Sequence, residues 1–243
     1  YYYRFFIRFH KKFITNRWDI TKPITFYISS NTPEEYKQYI REGVLAWNEV
    51  FGKEALKVEN GSNGSVAGDP LKNIIQWMGN DGFAFAVANR HAHPHTGEIL
   101  SAFVRFGSGY AVSSREDAKR MLNLAEKKVK NIVQGMVGLA GFEKESGVEE
   151  TYPEGMLQLL HLIASGQVPD KDIIRLTGLS IRNTIMHEVG HNLGLRHNFM
   201  GSVYPHVNEL PSSSIMDYLL FEDDILMQHP GKYDYAAISW LMV

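Results

Sequence analysis

Three histidines and a glutamate are spaced in a way that suits a catalytic metal. On an α-helix, residues four apart share a face, so His187 and His191 can direct ring nitrogens at one ion while Glu188 reaches the water bound to it. Gly194, just past the last helical turn, can adopt a left-handed conformation that brings His197 to the same ion. Three imidazoles leave one coordination position open for water, so we predict a single catalytic Zn²⁺.

The same five residues match the extended zinc signature of the metzincin clan of metalloendopeptidases, which this chain therefore resembles. The second mark of the clan is a methionine turn, and residues 214–218 are similar to it. The resemblance implies that Met216 lies beneath the three histidines as a floor to the site, beside the structural Gly194. Tyr218 stands where astacins and serralysins place a zinc-binding tyrosine. The alternative is an aromatic residue that simply packs after the turn.

Further similarities extend beyond the signature. The surroundings of the zinc motif are similar to those of the pappalysins at Val189, Gly190, Leu193, Leu195 and Phe199. The chain most closely resembles a bacterial family of zinc-dependent metzincins, usually the catalytic part of longer exported proteins. That resemblance rests on the zinc helix through Phe199 and on residues 16–18, 23–28, 43–48, 96–100 and 233–238. Asn198 departs from the astacins and reprolysins, which carry an acidic residue after the third histidine.

The resemblance implies an α+β fold of metzincin type. We expect a twisted mixed sheet with long helices, a zinc helix at the cleft, and a smaller C-terminal lobe that holds the methionine turn. The expected organisation is a connecting segment at 1–22 and a catalytic domain at 23–243, with an upper lobe at 23–194, a helical insertion at about 113–167 and a lower lobe at 195–243. The resemblance also implies bacterial origin, upstream domains of the same full-length chain, and export to the periplasm, the cell surface or the medium.

Composition narrows the function classes. With 44% hydrophobic and 21% charged residues in 243, the chain has a globular composition, and its net charge of −2 argues against a general nucleic-acid binder. The absence of cysteine excludes a disulfide framework, a cysteine-ligated zinc and a thiol nucleophile. No apolar run reaches the length of a membrane span. The first residues are no signal peptide and include no initiator methionine, so we expect a piece of a longer protein.

The basic and aromatic residues 1–22 have two interpretations. They could contact nucleic acid or a membrane surface, but we favour a connecting strand that packs on the core or on an upstream region.

Hydrophobic periodicity and capping residues predict the secondary structure. Strands are expected at 24–30, 56–59, 73–77, 83–87 and 99–106. Helices are expected after a capping box at 32–35, from Ser114 to about Leu139, at 152–165, after a cap at Ser180, and at 235–241 after a cap at Asp234. On the zinc helix, Ile181, Ile185, Val189 and Leu193 form the predicted buried stripe.

Two features near the middle of the chain leave alternatives open. By the metzincin resemblance, the strand at 83–87 is the edge strand above the cleft, where an extended peptide or protein substrate binds by strand addition. The alternative is a simply buried strand. The histidines His91, His93 and His95 could hold a second metal, although Pro94 and the following Thr-Gly favour an ordinary turn.

The predicted function is that of a zinc endopeptidase. Glu188 takes a proton from the zinc-bound water as the water attacks the scissile carbonyl, and then delivers it to the leaving amine. Zinc and the Tyr218 hydroxyl are the candidates for stabilising the oxyanion, while Asp217 either orients a ligand or makes a local turn hydrogen bond. The alternatives are a non-proteolytic zinc amidase on the same scaffold and a catalytically silent peptide-binding module. The presence of Glu188 argues against the silent module.

Overall fold

The computed structural model describes residues 15–61, 66–124, 127, 170–203 and 210–241. Most of the N-terminal connecting segment, the end of the helix expected from Ser114 and the helix expected at 152–165 lie outside the described residues. Among the helices that are described, none combines the length and hydropathy that a membrane span requires.

Five strands form one mixed sheet with the order β2-β1-β3-β5-β4. Strands β2, β1, β3 and β5 run parallel to one another, and β4 pairs antiparallel with β5 at the edge. The strands are β1 (Ile24–Ile28), β2 (Leu56–Asn60), β3 (Asn73–Met78), β4 (Ala86–Ala92) and β5 (Ile99–Gly107). This sheet, combined with long helices, confirms the predicted α+β class.

The helices pack against the sheet and complete the hydrophobic core. They are α1 (Glu34–Leu45), α2 (Trp47–Phe51), α3 (from residue 108, described to 124), α4 (Asp170–Asn192), α5 (Phe221–Asp224) and α6 (Lys232–Leu241). Helix α4 packs against α1 and against strands β4 and β5. Its apolar stripe is fully buried, as predicted, at Ile181, Ile185, Val189 and Leu193. The burial of this stripe fixes which face of α4 is left for the cleft.

Long-range hydrogen bonds hold α4 in place. The indole N–H of Trp47, a fully buried residue, donates to the Met186 carbonyl at 2.9 Å. The indole N–H of Trp18 donates to the carbonyl of Asn192, at the C-terminal end of α4, also at 2.9 Å. Next to Trp18, the backbone of Arg17 forms an isolated parallel β-bridge with that of Glu98. Residues 17 and 18 therefore join the end of α4 to the start of β5.

Three expected helix starts are wrong. Helix α1 begins at Glu34, and the Thr32 hydroxyl pairs with Ser29 at 3.2 Å, so it forms no capping box. Ser114 and Ser180 lie inside α3 and α4, where both are buried with their hydroxyl oxygens 3.5 Å apart. A small polar residue suits a helix-helix contact as well as it suits a cap, and the sequence pattern did not separate these uses.

Two further boundaries also differ from expectation. Helix α6 begins at Lys232, so Asp234 is the third residue of the helix and not the residue before it; its carboxylate accepts from the Gly231 N–H at the helix start and also from the Ile215 N–H. The expected strand at 83–87 begins only at Ala86 and continues to Ala92, because the Phe85 carbonyl accepts the last hydrogen bond, from the Gly107 N–H at 3.1 Å. This strand is nevertheless the edge strand of the sheet.

The contact between α1 and α4 depends on a missing side chain at Gly43. A Cβ atom there would lie 2.4 Å from the Arg182 carbonyl oxygen and 3.1 Å from the Ile185 Cβ. Helix propensity favours alanine over glycine by about 1 kcal/mol, but overpacking costs about 1–3 kcal/mol. We expect Gly43→Ala to lower the free energy of unfolding by about 1–2 kcal/mol in urea melts.

Gly79 provides the matched control, because a Cβ there would meet nothing within 4 Å. Gly79→Ala should change the stability by less than about 0.5 kcal/mol. A Gly43→Ala variant as stable as the parent would contradict the close approach of the two helices.

Candidate metal centre and cleft

The C-terminal end of α4 directs the chain toward the metal ligands. Gly194 has φ +110°, and its N–H donates to the His191 carbonyl while the Leu195 N–H donates to the Gly190 carbonyl, both at 3.0 Å. These two bonds form a Schellman motif, which requires a left-handed residue at this position. A Cβ at residue 194 would also lie 2.9 Å from the carbonyl oxygen of Asn16. Position 194 therefore favours glycine for two reasons, the left-handed conformation and the close approach of the Asn16 carbonyl.

The three histidines converge as the spacing predicted. One ring nitrogen from each of His187, His191 and His197 lies within 4.8 Å of the others, the arrangement of a potential metal site. The His187 Nδ1 atom lies 2.8 Å from the Ile215 carbonyl oxygen, and the His191 Nδ1 atom lies 3.0 Å from that of Leu195. Because a carbonyl only accepts, both Nδ1 atoms carry the proton. Both Nε2 atoms therefore present lone pairs, as metal ligands must.

The protonation of the ligands also fits a cation. Burial lowers the pKa of His187 to about 4, and burial likewise lowers the pKa of His191. Both imidazoles are therefore neutral at neutral pH, which is the form that binds Zn²⁺. The Nε2 atoms of His191 and His197 approach to 3.0 Å. Three imidazole nitrogens that converge on one point are a ligand set suited to zinc.

Glu188 lies beside the ligands with little access to solvent. It is 8% exposed and lines a pocket of about 430 Å³ together with His187 and Tyr218. Burial raises the pKa of the Glu188 carboxyl to about 7, and the backbone amide of Ala88 on the edge strand opposes this shift. The carboxyl is thus positioned between the metal ligands and the edge strand.

Met216 packs beneath the site, where the resemblance placed it. It is fully buried, and a Cβ at Gly190 would lie 2.4 Å from its sulfur and 2.9 Å from the Trp47 ring. The glycine between the two helical ligands therefore allows the methionine turn to approach α4 closely. The Asn198 N–H donates to the Met216 carbonyl at 2.9 Å and joins the turn to the segment that follows His197.

Tyr218 extends over the open side of the histidines. Its side chain is 64% exposed, its hydroxyl lies 2.9 Å from the His197 Nε2 atom, and its ring centroid lies 5.6 Å from that of His187 in a stacked arrangement. A hydroxyl that reaches a ligand nitrogen lies within reach of a metal and of a substrate carbonyl bound to it. The ring packs against His187 while the hydroxyl points to the ligands, so Tyr218 is compatible both with a role at the metal and with simple packing after the turn.

The sequence did not identify the groups that orient the ligands. These are the backbone carbonyls of Ile215 and Leu195, which carry no side-chain signal. Asp217 was the candidate for this role, but its carboxylate accepts local bonds, from the Tyr218 N–H at 2.8 Å and the Ser212 hydroxyl at 3.1 Å. The turn interpretation of Asp217 is therefore correct.

Asp234 supports the methionine turn and was also missed. It is fully buried, and its carboxylate accepts from the Ser214 hydroxyl at 2.6 Å and from the backbone N–H groups of Ile215 and Gly231, each at 2.8 Å. The sequence signal was an acidic residue near a helix start, which suggested a cap. The structure shows instead that this carboxylate holds the backbone whose carbonyl orients His187.

Among the described residues, the histidine-rich loop does not belong to the group of potential metal ligands. His91 belongs to β4, and the His93 Nδ1 atom lies 3.3 Å from the backbone N–H groups of both His95 and Thr96. Such bonds are those of a side chain that organises a turn. A second metal at these residues stays a hypothesis.

One comparison with known proteins finds a relationship. The family model described as Met-zincin matches residues 170–241, a segment that contains all three histidines, the methionine turn and α6. No curated protein matches the chain. The match confirms the metzincin resemblance. With the histidine group, it indicates a zinc-dependent metallopeptidase.

Removing the Asp234 carboxylate tests the support of the methionine turn. Asp234→Ala leaves the N–H groups of Ile215 and Gly231 without their acceptor, and each unsatisfied buried donor costs about 1–3 kcal/mol. We expect the free energy of unfolding to fall by about 3–5 kcal/mol in denaturant titrations. Asp223→Ala, at an exposed acid on α5, should change it by less than about 0.5 kcal/mol. Equal effects of the two substitutions would contradict the role of Asp234.

Proposed function

We propose that this chain is an endopeptidase that hydrolyses peptide bonds with one zinc ion held by His187, His191 and His197, because residues 170–241 match the Met-zincin family model and these three histidines form a potential metal site. The observation that carries the proposal is the position of Glu188. Its buried carboxyl lines the same pocket as His187, next to an exposed sheet edge. A purely structural zinc site has no use for an acid at that place.

Each side chain of the site has a proposed task. A zinc ion, when bound, polarises a carbonyl and lowers the pKa of water. Glu188 accepts the proton of the attacking water and passes it to the leaving amine. Its burial suits this exchange, because a carboxyl with a raised pKa both accepts and releases a proton near neutral pH.

Tyr218 is the proposed donor to the oxyanion. Its hydroxyl lies 2.9 Å from the His197 Nε2 atom and is exposed toward the cleft, so it can turn from the histidine to a substrate oxygen. A positioned donor of this kind stabilises the charge that develops on the carbonyl oxygen in the transition state.

Strand β4 is the proposed binding edge for an extended peptide. Within the described part of the chain it pairs on one side only, with β5. The bond from the Gly107 N–H to the Phe85 carbonyl sets the alternation, so the backbone groups of Ala86, Ala88 and Arg90 face away from β5. A substrate strand can pair with the groups of Ala86 and Arg90, while the Ala88 N–H bonds to the Glu188 carboxyl and so keeps this carboxyl beside the scissile bond.

Replacing the proposed base should separate metal binding from hydrolysis. We expect Glu188→Gln to retain one zinc per chain and to lose about 10²–10⁴-fold in kcat on an unstructured protein substrate. His191→Ala should lose the zinc itself, because it removes a ligand nitrogen. Metal content by atomic absorption and initial rates of cleavage give the two readouts.

The exposed His229 offers a matched control for the ligand variant. His229→Ala should keep both the zinc and the activity. Unchanged turnover in Glu188→Gln would contradict the proposed role of the glutamate, and full zinc content in His191→Ala would contradict the ligand set.

The role of the Tyr218 hydroxyl can be tested by removing its one oxygen atom. Tyr218→Phe keeps the ring that stacks on His187 and removes only the donor. We expect kcat to fall by about 10²–10³-fold, with KM and zinc content little changed, since the bond is made in the transition state. A Phe variant with the parent kcat would show that the residue only packs after the turn.

A further inference from the structure

The pocket beside Glu188 continues away from the metal ligands along α4. Its wall includes Ser180, which lies seven residues before His187, or about 10 Å along the helix axis. Helix α3 and the segment that follows the methionine turn supply the other walls. The cleft therefore has a deep side chamber that opens where the scissile bond would lie.

Both apolar and acidic side chains line the chamber. The apolar ones are Ala84, Phe85, Ala86, Ile215, Leu219 and Phe221. Hydroxyl groups line it from Tyr110, Ser113, Ser114, Ser180 and Thr184, and the carboxyl groups belong to Asp117, Glu188, Asp217 and Asp224. Of the described residues that line the pocket, none is a lysine or an arginine. A wholly apolar side chain would leave the carboxyl groups without water and without partners, so the lining favours an occupant with an apolar stem and a cationic end.

One oxygen of the Asp224 carboxyl lacks a partner. The Oδ2 atom is buried and has no hydrogen-bond partner among the described residues, although the Ser180 hydroxyl contributes a hydrogen bond to the carboxyl group. Arg182 is the nearby cation, but its Nη2 atom donates to the Met227 carbonyl at 3.1 Å and its Nε atom to the Asn183 side chain at 3.0 Å. Neither of these bonds reaches the Asp224 carboxylate. A buried carboxyl oxygen without a partner in a cavity wall costs the fold free energy.

The electrostatics of Asp224 agree with an incomplete site. Burial raises the pKa of the Asp224 carboxyl to about 7, and the Ser180 hydroxyl and the charge of Arg182 only partly oppose this. A cation that enters the chamber would favour the charged form of the carboxyl and would replace the hydration that it lacks.

We propose that this chamber binds a lysine or arginine side chain of the substrate next to the scissile bond, with Asp224 as the residue that pairs with its charge. The inference rests on the proposed endopeptidase function for the orientation of the substrate, but the pocket and its carboxyl are independent of turnover. Lysine and arginine combine a long apolar stem with a terminal charge, which suits a chamber that is deep and acidic. Asp117, which pairs with Arg120 on the same helix at 2.9 Å, is a second carboxylate in the same wall.

The test compares three acetylated host peptides of alanine and serine that differ at one guest residue. The guests are lysine, acetyl-lysine, which keeps the length without the charge, and norleucine, which keeps only the stem. Binding is measured by calorimetry to the zinc-loaded Glu188→Gln chain, and cleavage sites are mapped by mass spectrometry with the parent chain. We expect the lysine peptide to bind about tenfold to hundredfold more tightly than the other two, and to be cut at a fixed position beside the lysine.

Variants of the acidic residues assign the preference. Asp224→Asn should remove the difference between lysine and acetyl-lysine, and Asp117→Asn should reduce it by a smaller factor. Glu222→Gln, at an exposed acid near Asp224 that does not line the pocket, should leave the preference unchanged. If Asp224→Asn does not fold, the Asp117→Asn and Glu222→Gln pair still separates the charge of the chamber from that of the surface.

The outcomes separate this proposal from the function on which it rests. Equal binding of the three peptides, or an undiminished lysine preference in a folded Asp224→Asn chain, would overturn the proposal. Cleavage by the parent chain without a basic preference would leave the endopeptidase intact and overturn only the chamber. A lysine preference in binding without cleavage would support the chamber and count against the endopeptidase.

Discussion

The hydrogen bond between the His187 Nδ1 atom and the Ile215 carbonyl is the interaction on which the site depends. It joins α4 to the methionine turn across 28 residues of sequence, and it settles which nitrogen of the imidazole faces the metal. The Ile215 backbone is in turn held by the buried Asp234 carboxylate, which bonds to the Ser214 hydroxyl and the Ile215 N–H. A carboxylate outside the ligand set thereby orients a ligand through the backbone between them.

Close packing makes this connection possible. Glycines lie where α4 meets its neighbours: Gly43 against the Arg182 carbonyl, and Gly190 against Met216 and Trp47. With a larger residue at position 190 the methionine turn would move away from α4, and the carbonyl that orients His187 would move with it. The position of Met216 beneath the site and the geometry of the ligands therefore both depend on close packing at a few glycines.

The sequence predicted the site better than the boundaries around it. The three histidines and Gly194 were recoverable because helix geometry and a left-handed C-cap allow few other solutions. Ser114 and Ser180 were mistaken for caps, and Asp234 accepts a bond at the helix start but from inside the helix, since short polar residues serve equally in helix contacts and in buried hydrogen bonds. The Ile215 and Leu195 carbonyls and the chamber at Asp224 had no local signal, because they arise only when distant segments meet. Export, bacterial origin and upstream domains stay predictions.

We propose that one zinc ion held by three histidines makes this chain a peptidase. The decisive experiment measures the metal content of the purified chain together with its cleavage of casein, before and after treatment with a zinc chelator and after zinc is restored. We expect one zinc per chain, cleavage that stops on chelation, and recovery when zinc returns. Cleavage that persists after the zinc has been removed, or a fully zinc-loaded chain that cleaves neither casein nor any unstructured peptide, would contradict it.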